Sequence, residues 1–424
     1  MASVKKIKAE AFDMMQYYYG TVHDPLIHCL IRFSRHVDEV ALKKAVTWSE
    51  NALPLLRCCF EATVRRPYWK DQGFTAKDIV QVIEAGPNPE AQKERLLASA
   101  IDITHGPQLK IYLVREQNSD TLCIMINHMI CDGAGFKEYL YLLSDLYTQC
   151  LDNMDLTPSL EFPSRSARQL FINFSFIEKI KILFAKYDIS ILNNQLAYYL
   201  QGDPNNPFFV TQRISKDDLL AIKSYAKQRG ATVNDMILTA CIRVLHKQLG
   251  KETIILPCPV DLRKYLPPHQ KHGIGNFTGD FLCNVTLSEN ESFEATLIKV
   301  AGQLQQQKSS TNCLKGVLLL EFICRLLPFH TVQKILKKTH TLPVVSFTNL
   351  GVIDKKLLCF GDIGIIDAYL TGTIKRVPYF QIAVSTYDDS CTLSSNLHGT
   401  AQDKVMIEHF LIQVKQELAG PATS

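Results

Sequence analysis

Strand-like and helix-like hydrophobic patterns alternate along the whole chain of 424 residues, and this alternation predicts a mixed α/β fold. Early in the chain, a strand pattern at His28–Phe33 is followed by the pattern of an amphipathic helix at 38–52. Further on, a strand pattern at Leu122–Ile126 runs up to His128. The apolar residues of 136–147 then recur at helical spacing. The sequence therefore predicts that His128 follows the end of a strand and that a helix begins just after it.

Length, charge and cysteine usage limit the classes of protein that this chain can belong to. At about 150 residues per domain, the length predicts two or three domains. A composition of 46% hydrophobic and 21% charged residues excludes collagen-like and wholly disordered chains. The formal charge of +4 is too small to indicate a nucleic-acid surface.

Thirteen cysteines without a Cys-x-x-Cys pair indicate reduced, mostly buried thiols. The N-terminal residues lack the apolar core of a secretory signal peptide, and the sequence has no apolar run of about 18 residues. We therefore expect a cytoplasmic protein without a membrane span.

A loosely patterned region lies between residues 157 and 207, where four prolines bracket aromatic residues and lysines. We interpret this region as a linker with helices of its own. The predicted organisation is an N-terminal subdomain at 1–165, linker helices at 166–210 and a C-terminal subdomain at 211–424. For the apolar linker residues, the favoured interpretation is a helix packed across the domain boundary, and the alternative is an amphipathic helix on a membrane surface.

The most informative local motif is His-x-x-x-Asp-Gly, formed by His128, Asp132 and Gly133. By average residue usage, this spacing is expected by chance only about 0.03 to 0.05 times in such a chain. A histidine at the end of a strand can take a proton from a hydroxyl or amine near neutral pH. Asp132 is interpreted as fixing the loop or pairing with a cation, and Gly133 as permitting the turn. The alternative is a core histidine whose ring nitrogens are hydrogen-bonded within the protein, followed by an aspartate that caps a helix.

This motif resembles the signature of the condensation-domain and chloramphenicol-acetyltransferase-like acyltransferase superfamily. Further segments resemble that superfamily in the expected order, and together they cover most of the chain: 53–60, 101–110, 232–235, 259–263 and 275–277. The resemblance implies an α/β fold of two chloramphenicol-acetyltransferase-like subdomains arranged in a V, with the active-site channel between them.

The resemblance also implies roles for individual residues. His128 is implied to be the general base that removes a proton from the acceptor as it attacks an acyl thioester. Asp132 is implied to face away and organise the loop, with Arg263 as its buried salt-bridge partner. No serine or cysteine nucleophile is needed, because the thioester is already activated. The candidates for oxyanion or substrate binding are Asn276, Thr278, Ser346, Thr348 and Asn349. For any single polar residue of the strand at 345–351, a structural cross-strand role is the favoured interpretation.

The implied reaction is acyl transfer from coenzyme A or a phosphopantetheinyl thioester to a hydroxyl or amine. The implied partners are this thioester donor, a small alcohol or amine acceptor and an acyl or peptidyl carrier protein, with no metal and no permanently bound cofactor. Asn127 stands where many condensation domains have the first of two adjacent histidines. This departure favours an alcohol or small-amine acyltransferase over a peptide-bond former.

Two other functions stay open at this stage. The first is a catalytically inactive condensation-like domain that serves as a binding or scaffolding protein. The second is an epimerase-like activity, which needs a second acid or base opposite His128; Glu138 is expected on the outer face of its helix instead. The sequence also contains two small basic clusters: Arg65–Arg66 and the trio Lys334, Lys337 and Lys338. We interpret both clusters as solvent-exposed surface charge. The alternative is that they contact a coenzyme A phosphate or an acidic carrier protein.

Overall fold

The computed structural model describes residues 5–423 except 156, 157, 162, 163, 186–195, 197, 271 and 340–342. In this part of the chain, strands and helices alternate. The strands are β1 (Lys6–Lys8), β2 (Leu26–Phe33), β3 (Cys58–Glu61), β4 (Tyr68–Asp71), β5 (Val80–Glu84), β6 (Leu109–Arg115), β7 (Asp120–Asn127), β8 (Pro207–Ile214), β9 (Thr253–Asp261), β10 (Thr278–Thr286), β11 (Val345–Ile353), β12 (Ile365–Thr371), β13 (Lys375–Arg376), β14 (Phe380–Tyr387) and β15 (Ser390–His398). The helices are α1 (Ala11–Tyr19), α2 (Glu39–Ala52), α3 (Ala76–Ile79), α4 (Pro89–Leu97), α5 (Gly133–Asp152), α6 (Phe176–Phe184), α7 (Lys216–Gln228), α8 (Val233–Leu249), α9 (Phe293–Ser309), α10 (Lys315–Leu326), α11 (Phe329–Thr339) and α12 (Ala401–Thr423).

A five-stranded sheet in the order β12-β2-β7-β6-β5 carries the His128 loop at the end of its central strand. β2 and β7 pair antiparallel, with Leu26 opposite Asn127. Alternate residues of these strands face two different layers. Ile31 and Ile126 pack in the core shared with α2 and α5, whereas Leu30 belongs to the cluster on the other face. Because both faces are covered, the central strands are almost continuously apolar.

The second large sheet has the order β11-β14-β15, with β8 and β13 also paired to β15. Helices α7, α8 and α12 pack against one another and over this sheet. Packed aromatic rings connect α12 to this sheet. The ring centroid of Phe380 in β14 lies 5.3 Å from that of Phe410 in α12 and 5.1 Å from that of Tyr198. The strands β9 and β10 form a separate antiparallel ribbon.

The two sheets are joined by chain that crosses between them in both directions. β12 follows β11 in the sequence but pairs with β2 in the first sheet. Leu262, Phe277 and Leu314 likewise pack in the first core. Residues of the predicted linker contribute to both cores, Leu170 to the first and Leu200 to the second. The predicted domain boundaries therefore stay predictions, since neither core is built from one continuous stretch of sequence.

Most of the predicted elements are present within a few residues of their expected ends. The strand predicted at His28–Phe33 is β2, and the helix predicted at 38–52 is α2, whose first turn is capped by Asp38. The small sheet β1-β4-β3 was not predicted, because strands of three or four residues are too short to show a periodic pattern. As predicted, the cysteines are unpaired thiols, and twelve of the thirteen are buried. None of the described helices has the length and apolar character that crossing a bilayer requires.

Candidate active site

His128 lies directly after the last residue of β7 and five positions before the first residue of α5. Its backbone N–H donates to the carbonyl oxygen of Pro25 at 2.7 Å, which ties the loop to the entrance of β2. The imidazole is half-buried. Nδ1 is buried and has no hydrogen-bond partner among the described residues, whereas Nε2 is not one of the buried unpaired atoms. Access of a reactant to Nε2 stays a prediction.

Burial is the main influence on the charge of this ring. It lowers the pKa of His128 below the ordinary value of 6.5. The contact of the ring with its own main chain, the negative charge of Asp132 and the side chain of Asn276 act in the opposite direction, and the charge of Lys375 lowers the pKa further. The imidazole is consequently neutral at pH 7 and able to accept a proton.

Asp132 closes the loop with five hydrogen-bond contacts from three parts of the chain, and only 4% of its surface is exposed. The backbone N–H of Gly135 donates to Oδ1 at 2.8 Å, so Asp132 caps α5. The backbone N–H of Phe277 and the hydroxyl of Thr278 donate to Oδ2 at 2.7 and 2.9 Å. Arg263 supplies the remaining two bonds, at 2.9 and 3.1 Å. The carboxylate is therefore fully engaged and is not available to a substrate.

Arg263 is buried to the same degree as its partner, with 6% of its surface exposed. Besides Asp132, its guanidinium donates to the carbonyl oxygens of Gly273 and Gly275 and to the carboxylate of Asp261. The salt bridge that the resemblance implied is thus present. Burial by itself would raise the pKa of Asp132, but the charge and hydrogen bonds of Arg263, with two backbone N–H groups, bring this pKa below 3.8.

A second buried ion pair supports the same loop, and it was not predicted. The guanidinium of Arg165 lies 2.6 Å from the carboxylate of Asp13 in α1. It also donates to the carbonyl oxygens of Met129 and Ile130, at 2.8 and 3.0 Å. These two residues carry no motif in the sequence, so only their proximity in the fold links them to His128. The loop is held by one arginine from each side.

Asn127 is completely buried and binds within the protein. Its amide nitrogen donates to the side-chain oxygen of Gln108 at 2.6 Å, and its Oδ1 accepts the backbone N–H of Met129 at 2.9 Å. Both bonds stabilise the turn that follows β7. The side chain of Asn127 therefore positions the loop.

Two glycines permit the close packing of the loop against the second half of the chain. A Cβ atom on Gly133 would overlap the side chain of Leu350 in β11. A Cβ atom on Gly135 would lie 2.7 Å from the carbonyl oxygen of Gly275 and 3.0 Å from a nitrogen of Arg263. Gly133 was predicted from the motif. Gly135 was not, because its constraint is a main-chain contact with a residue 140 positions away.

The five candidates for oxyanion or substrate binding fall into two groups. Asn276 donates to the carbonyl oxygens of His128 and Met129 at 2.8 and 3.1 Å, and Thr278 donates to Asp132. The amide and the hydroxyl of these two residues are therefore directed to the loop itself. We assign both to positioning the loop rather than to contact with an oxyanion.

The other three candidates lie on β11. Asn349 is exposed, donates to the side chain of Asn234 and accepts the N–H of Gly351. Ser346 and Thr348 are half-buried, and their hydroxyls form no hydrogen bond within the part of the chain that the structure describes. These two hydroxyls keep free hydrogen-bonding capacity, and their role in binding stays a prediction.

Two further basic residues near His128 were missed by the sequence analysis. Lys375 in β13 faces His23 across an isolated antiparallel bridge, and His23 lies two residues before the Pro25 carbonyl that binds the loop. Lys375 is half-buried, and its ammonium group has no hydrogen bond or ion pair with any residue that the structure describes. Burial lowers its pKa to about 7. No sequence signal marks it, since it becomes unusual only through its surroundings.

A cavity of about 520 Å³ lies on another side of α5 and is not lined by His128. Its walls include Glu138, Tyr141, His272 and Cys359. The carboxylate of Glu138 lies 3.3 Å from Nδ1 of His272, so Glu138 is on the outer face of its helix, as expected. The channel expected at His128 itself stays a prediction.

Comparisons with known proteins identify the fold. No protein-family model and no curated protein sequence matches the chain. Solved structures do match it over nearly its full length. The first condensation domain of the CDA synthetase is 13% identical, with 100% of this chain and 98% of that chain covered and a TM-score of 0.72. The trichothecene 15-O-acetyltransferase TRI3 from Fusarium sporotrichioides is 11% identical, with 98% of this chain and 95% of that chain covered and a TM-score of 0.69. The epimerization domain from the third module of tyrocidine synthetase B is 14% identical, with 100% of this chain and 99% of that chain covered and a TM-score of 0.66.

At these identities the likeness concerns the fold. The chain has the mixed α/β fold of condensation domains and chloramphenicol-acetyltransferase-like acyltransferases, and the resemblance predicted from the sequence is confirmed at this level. The three neighbours include a condensation domain, an acetyltransferase and an epimerization domain, so the fold alone does not select one reaction.

Replacing Asp132 with asparagine leaves the charge of Arg263 buried without its main partner. We expect the free energy of unfolding at pH 7, measured by urea denaturation, to fall by about 3–5 kcal/mol. The difference between wild type and variant should shrink as the pH falls through the lowered pKa of Asp132, because the native carboxylate is then protonated. Asp362→Asn, which removes the exposed partner of Arg35, is the control and should leave stability unchanged. An equal effect of both variants would contradict the assigned role of the buried pair.

Replacing Gly135 with alanine tests the close main-chain contact at the start of α5. Since the neighbouring atom is a backbone oxygen, the strain cannot be relieved by a rotamer change, and we expect a loss of about 1–3 kcal/mol. Gly302→Ala is the matched control: Gly302 lies in α9 with open space around its Cα, so alanine should raise stability by about 0.5–1 kcal/mol. Opposite signs for the two variants, measured by chemical denaturation, are the expected result.

Proposed function

We propose that this protein is an acyltransferase that moves an acyl group from a coenzyme A or carrier-protein thioester to a hydroxyl or amine acceptor. The observation that carries the proposal is the setting of His128: an imidazole whose pKa is lowered below 6.5, on a loop held by two buried arginines. Access of both reactants to Nε2 is part of the proposal. A scaffolding domain has no need of a neutral imidazole on a loop fixed at such desolvation cost.

In the proposed reaction, Nε2 of His128 accepts the proton of the acceptor hydroxyl or amine while the acceptor oxygen or nitrogen attacks the thioester carbonyl. The tetrahedral intermediate collapses by breaking the carbon–sulfur bond. The imidazolium then returns its proton to the departing thiolate, so the histidine ends as it began. Burial favours this cycle, because a ring with a lowered pKa is unprotonated before each turnover.

The hydroxyls of Ser346 and Thr348 are the candidates to stabilise the oxyanion in this proposal. They lie two residues apart on one strand, so both side chains are on the same face of β11. The same strand brings Leu350 against Gly133, at the end of the His128 loop. Hydroxyls that are free in the unliganded protein can donate to a developing negative charge without first breaking another bond.

The remaining parts of the proposal concern access and location. The chain is proposed to form subdomains 1–165 and 211–424, joined by the linker 166–210 and arranged in a V, with β12 of the second subdomain completing the sheet of the first. The donor and the acceptor would reach His128 from opposite ends of a channel between them. A carrier protein is proposed as an alternative source of the thioester, and the cytoplasm as the location.

Epimerization of a thioester-bound residue is the second candidate function, and Lys375 is the observation that favours it. Proton exchange at a carbon needs two groups that can each hold a proton. Glu138 cannot be the second group, since it is bound to His272. Lys375 has a pKa of about 7 and affects the pKa of His128, so it meets this chemical requirement.

The proposed function is tested by measuring thiol release from a panel of acyl-coenzyme A and N-acetylcysteamine thioesters with alcohol and amine acceptors. His128→Ala should lower the rate by about 10²–10⁴, the usual contribution of a general base. His409→Ala, at an exposed position of α12, should keep the wild-type rate. Equal thiol release by wild type and His128→Ala with every substrate would contradict the proposal. Deuterium uptake at the thioester α-carbon in heavy water without thiol release would select the epimerase.

Replacing Lys375 with methionine tests the electrostatic link between Lys375 and His128. The positive charge of Lys375 lowers the pKa of His128, so its removal should raise that pKa. Because the protonated ring cannot act as a base, the fall of kcat/KM on the acid side should move to higher pH in the variant. Lys227→Met, at an exposed position of α7, should leave the profile in place. An unchanged acid limb in Lys375→Met would show that the two groups are not coupled.

A further inference from the structure

Helix α6 leaves most of its apolar side chains in contact with solvent. Ile182 is buried, but Phe176 and Phe184 are 77% and 83% exposed, and Ile177 and Ile180 are also exposed. Positions 176, 177, 180 and 184 recur at helical spacing and lie on one side of the helix. The favoured expectation, that the apolar residues of this segment are buried across the domain boundary, is therefore wrong for α6.

The neighbouring helix α10 extends this exposed surface. The two helices contact each other, and Nζ of Lys315 at the start of α10 donates to the carbonyl oxygen of Ala185, directly after α6. Leu319, Phe322 and Leu326 of α10 are exposed, and Phe322 is exposed at 60%. Their spacing of three and four residues places them on one side of α10. We call the exposed apolar residues of these two helices the α6–α10 surface.

Basic side chains flank the α6–α10 surface. Lys181 of α6 and Arg325 of α10 are exposed. Glu321 pairs with Arg168, whereas Glu178 is exposed and keeps its negative charge. Each of the two helices carries two basic residues and one acidic residue, so their net charge is positive.

The fold also brings together the two basic clusters that the sequence singled out. The guanidinium of Arg66 donates to the carbonyl oxygen of Arg325, and the carbonyl oxygen of Arg65 accepts the backbone N–H of Phe329 at the start of α11. Along α11 the exposed lysines follow: Lys334, Lys337 and Lys338. The loop at 65–66 thus lies where α10 and α11 meet, at the end of the α6–α10 surface, and the lysine trio follows along α11.

We propose that the α6–α10 surface docks the protein onto an anionic lipid bilayer, with the phenylalanines in the interface and the surrounding lysines and arginines against the lipid headgroups. Apolar residues on one side and basic residues around them are the features of helices that lie in the plane of a membrane. A negatively charged leaflet attracts such a basic border. The chain is held at the surface of the membrane in this arrangement, and α6 and α10 do not cross it.

The bilayer fits this surface better than a second copy of the chain does. A second copy of the chain would bring the same net positive charge to the interface, and this like charge would oppose association. An anionic bilayer instead presents negative headgroups to the basic residues. The proposal is independent of the reaction at His128, because no residue of the α6–α10 surface belongs to the candidate active site.

The test is flotation of the full chain with vesicles of pure phosphatidylcholine and of phosphatidylcholine with 30% phosphatidylglycerol. We expect binding to the anionic vesicles that weakens as salt is raised. The double variant Phe176→Ser/Phe184→Ser should lower the partition coefficient by at least about tenfold. The triple variant Lys334→Gln/Lys337→Gln/Lys338→Gln should lower it as well and should flatten the salt dependence.

Leu220→Ser/Ile298→Ser is the matched control, since it removes two exposed apolar side chains from α7 and α9. It should bind vesicles like the wild type, and all variants should keep the wild-type unfolding temperature. Absence of binding to anionic vesicles would overturn the proposal, as would equal loss of binding in the control. A wild-type dimer in light scattering that Phe176→Ser/Phe184→Ser converts to monomer would assign the surface to a second copy instead.

Discussion

The buried ion pair between Asp132 and Arg263 holds the candidate active site together. One carboxylate caps α5, receives the N–H of Phe277 and pairs with an arginine that binds two further carbonyl oxygens. The carboxylate and both terminal nitrogens of the guanidinium are hydrogen-bonded, whereas Nε of Arg263 has no partner among the described residues. Buried charge is tolerated when it is paired and hydrogen-bonded in this way. The loop that carries His128 can therefore take only one conformation while the two halves stay in contact.

This constraint also limits the movement of the loop that carries His128. The loop residues between His128 and Asp132 have their carbonyl oxygens bound by Arg165 and Asn276, so the backbone cannot rotate the imidazole away. Because the aspartate faces the second half of the chain, it does not pair with the imidazole. The ring stays neutral, and its pKa is set mainly by burial.

The lipid-facing role proposed for α6 and α10 fits the same organisation. The predicted linker is anchored in both cores through buried residues such as Leu170 and Leu200, while α6 leaves its phenylalanines outside. Amphipathic sequence patterns indicate that a helix has an apolar side. They do not indicate whether that side meets protein or membrane, because both environments favour the same residues. Only the packing around α6 separates these two interpretations.

Sequence alone determined the class of fold, the strand that ends before His128 and the helix that follows it, since these depend on local periodicity and on a six-residue motif. It also indicated Arg263 as the partner of Asp132, through resemblance. Tertiary structure alone decided the contributions of Arg165, Gly135 and Lys375. A salt bridge spanning 152 positions, a glycine required by the carbonyl oxygen of Gly275 and a lysine whose pKa is lowered by burial all depend on neighbours that are remote in the chain. Such properties arise only when the chain is folded, so no local pattern records them.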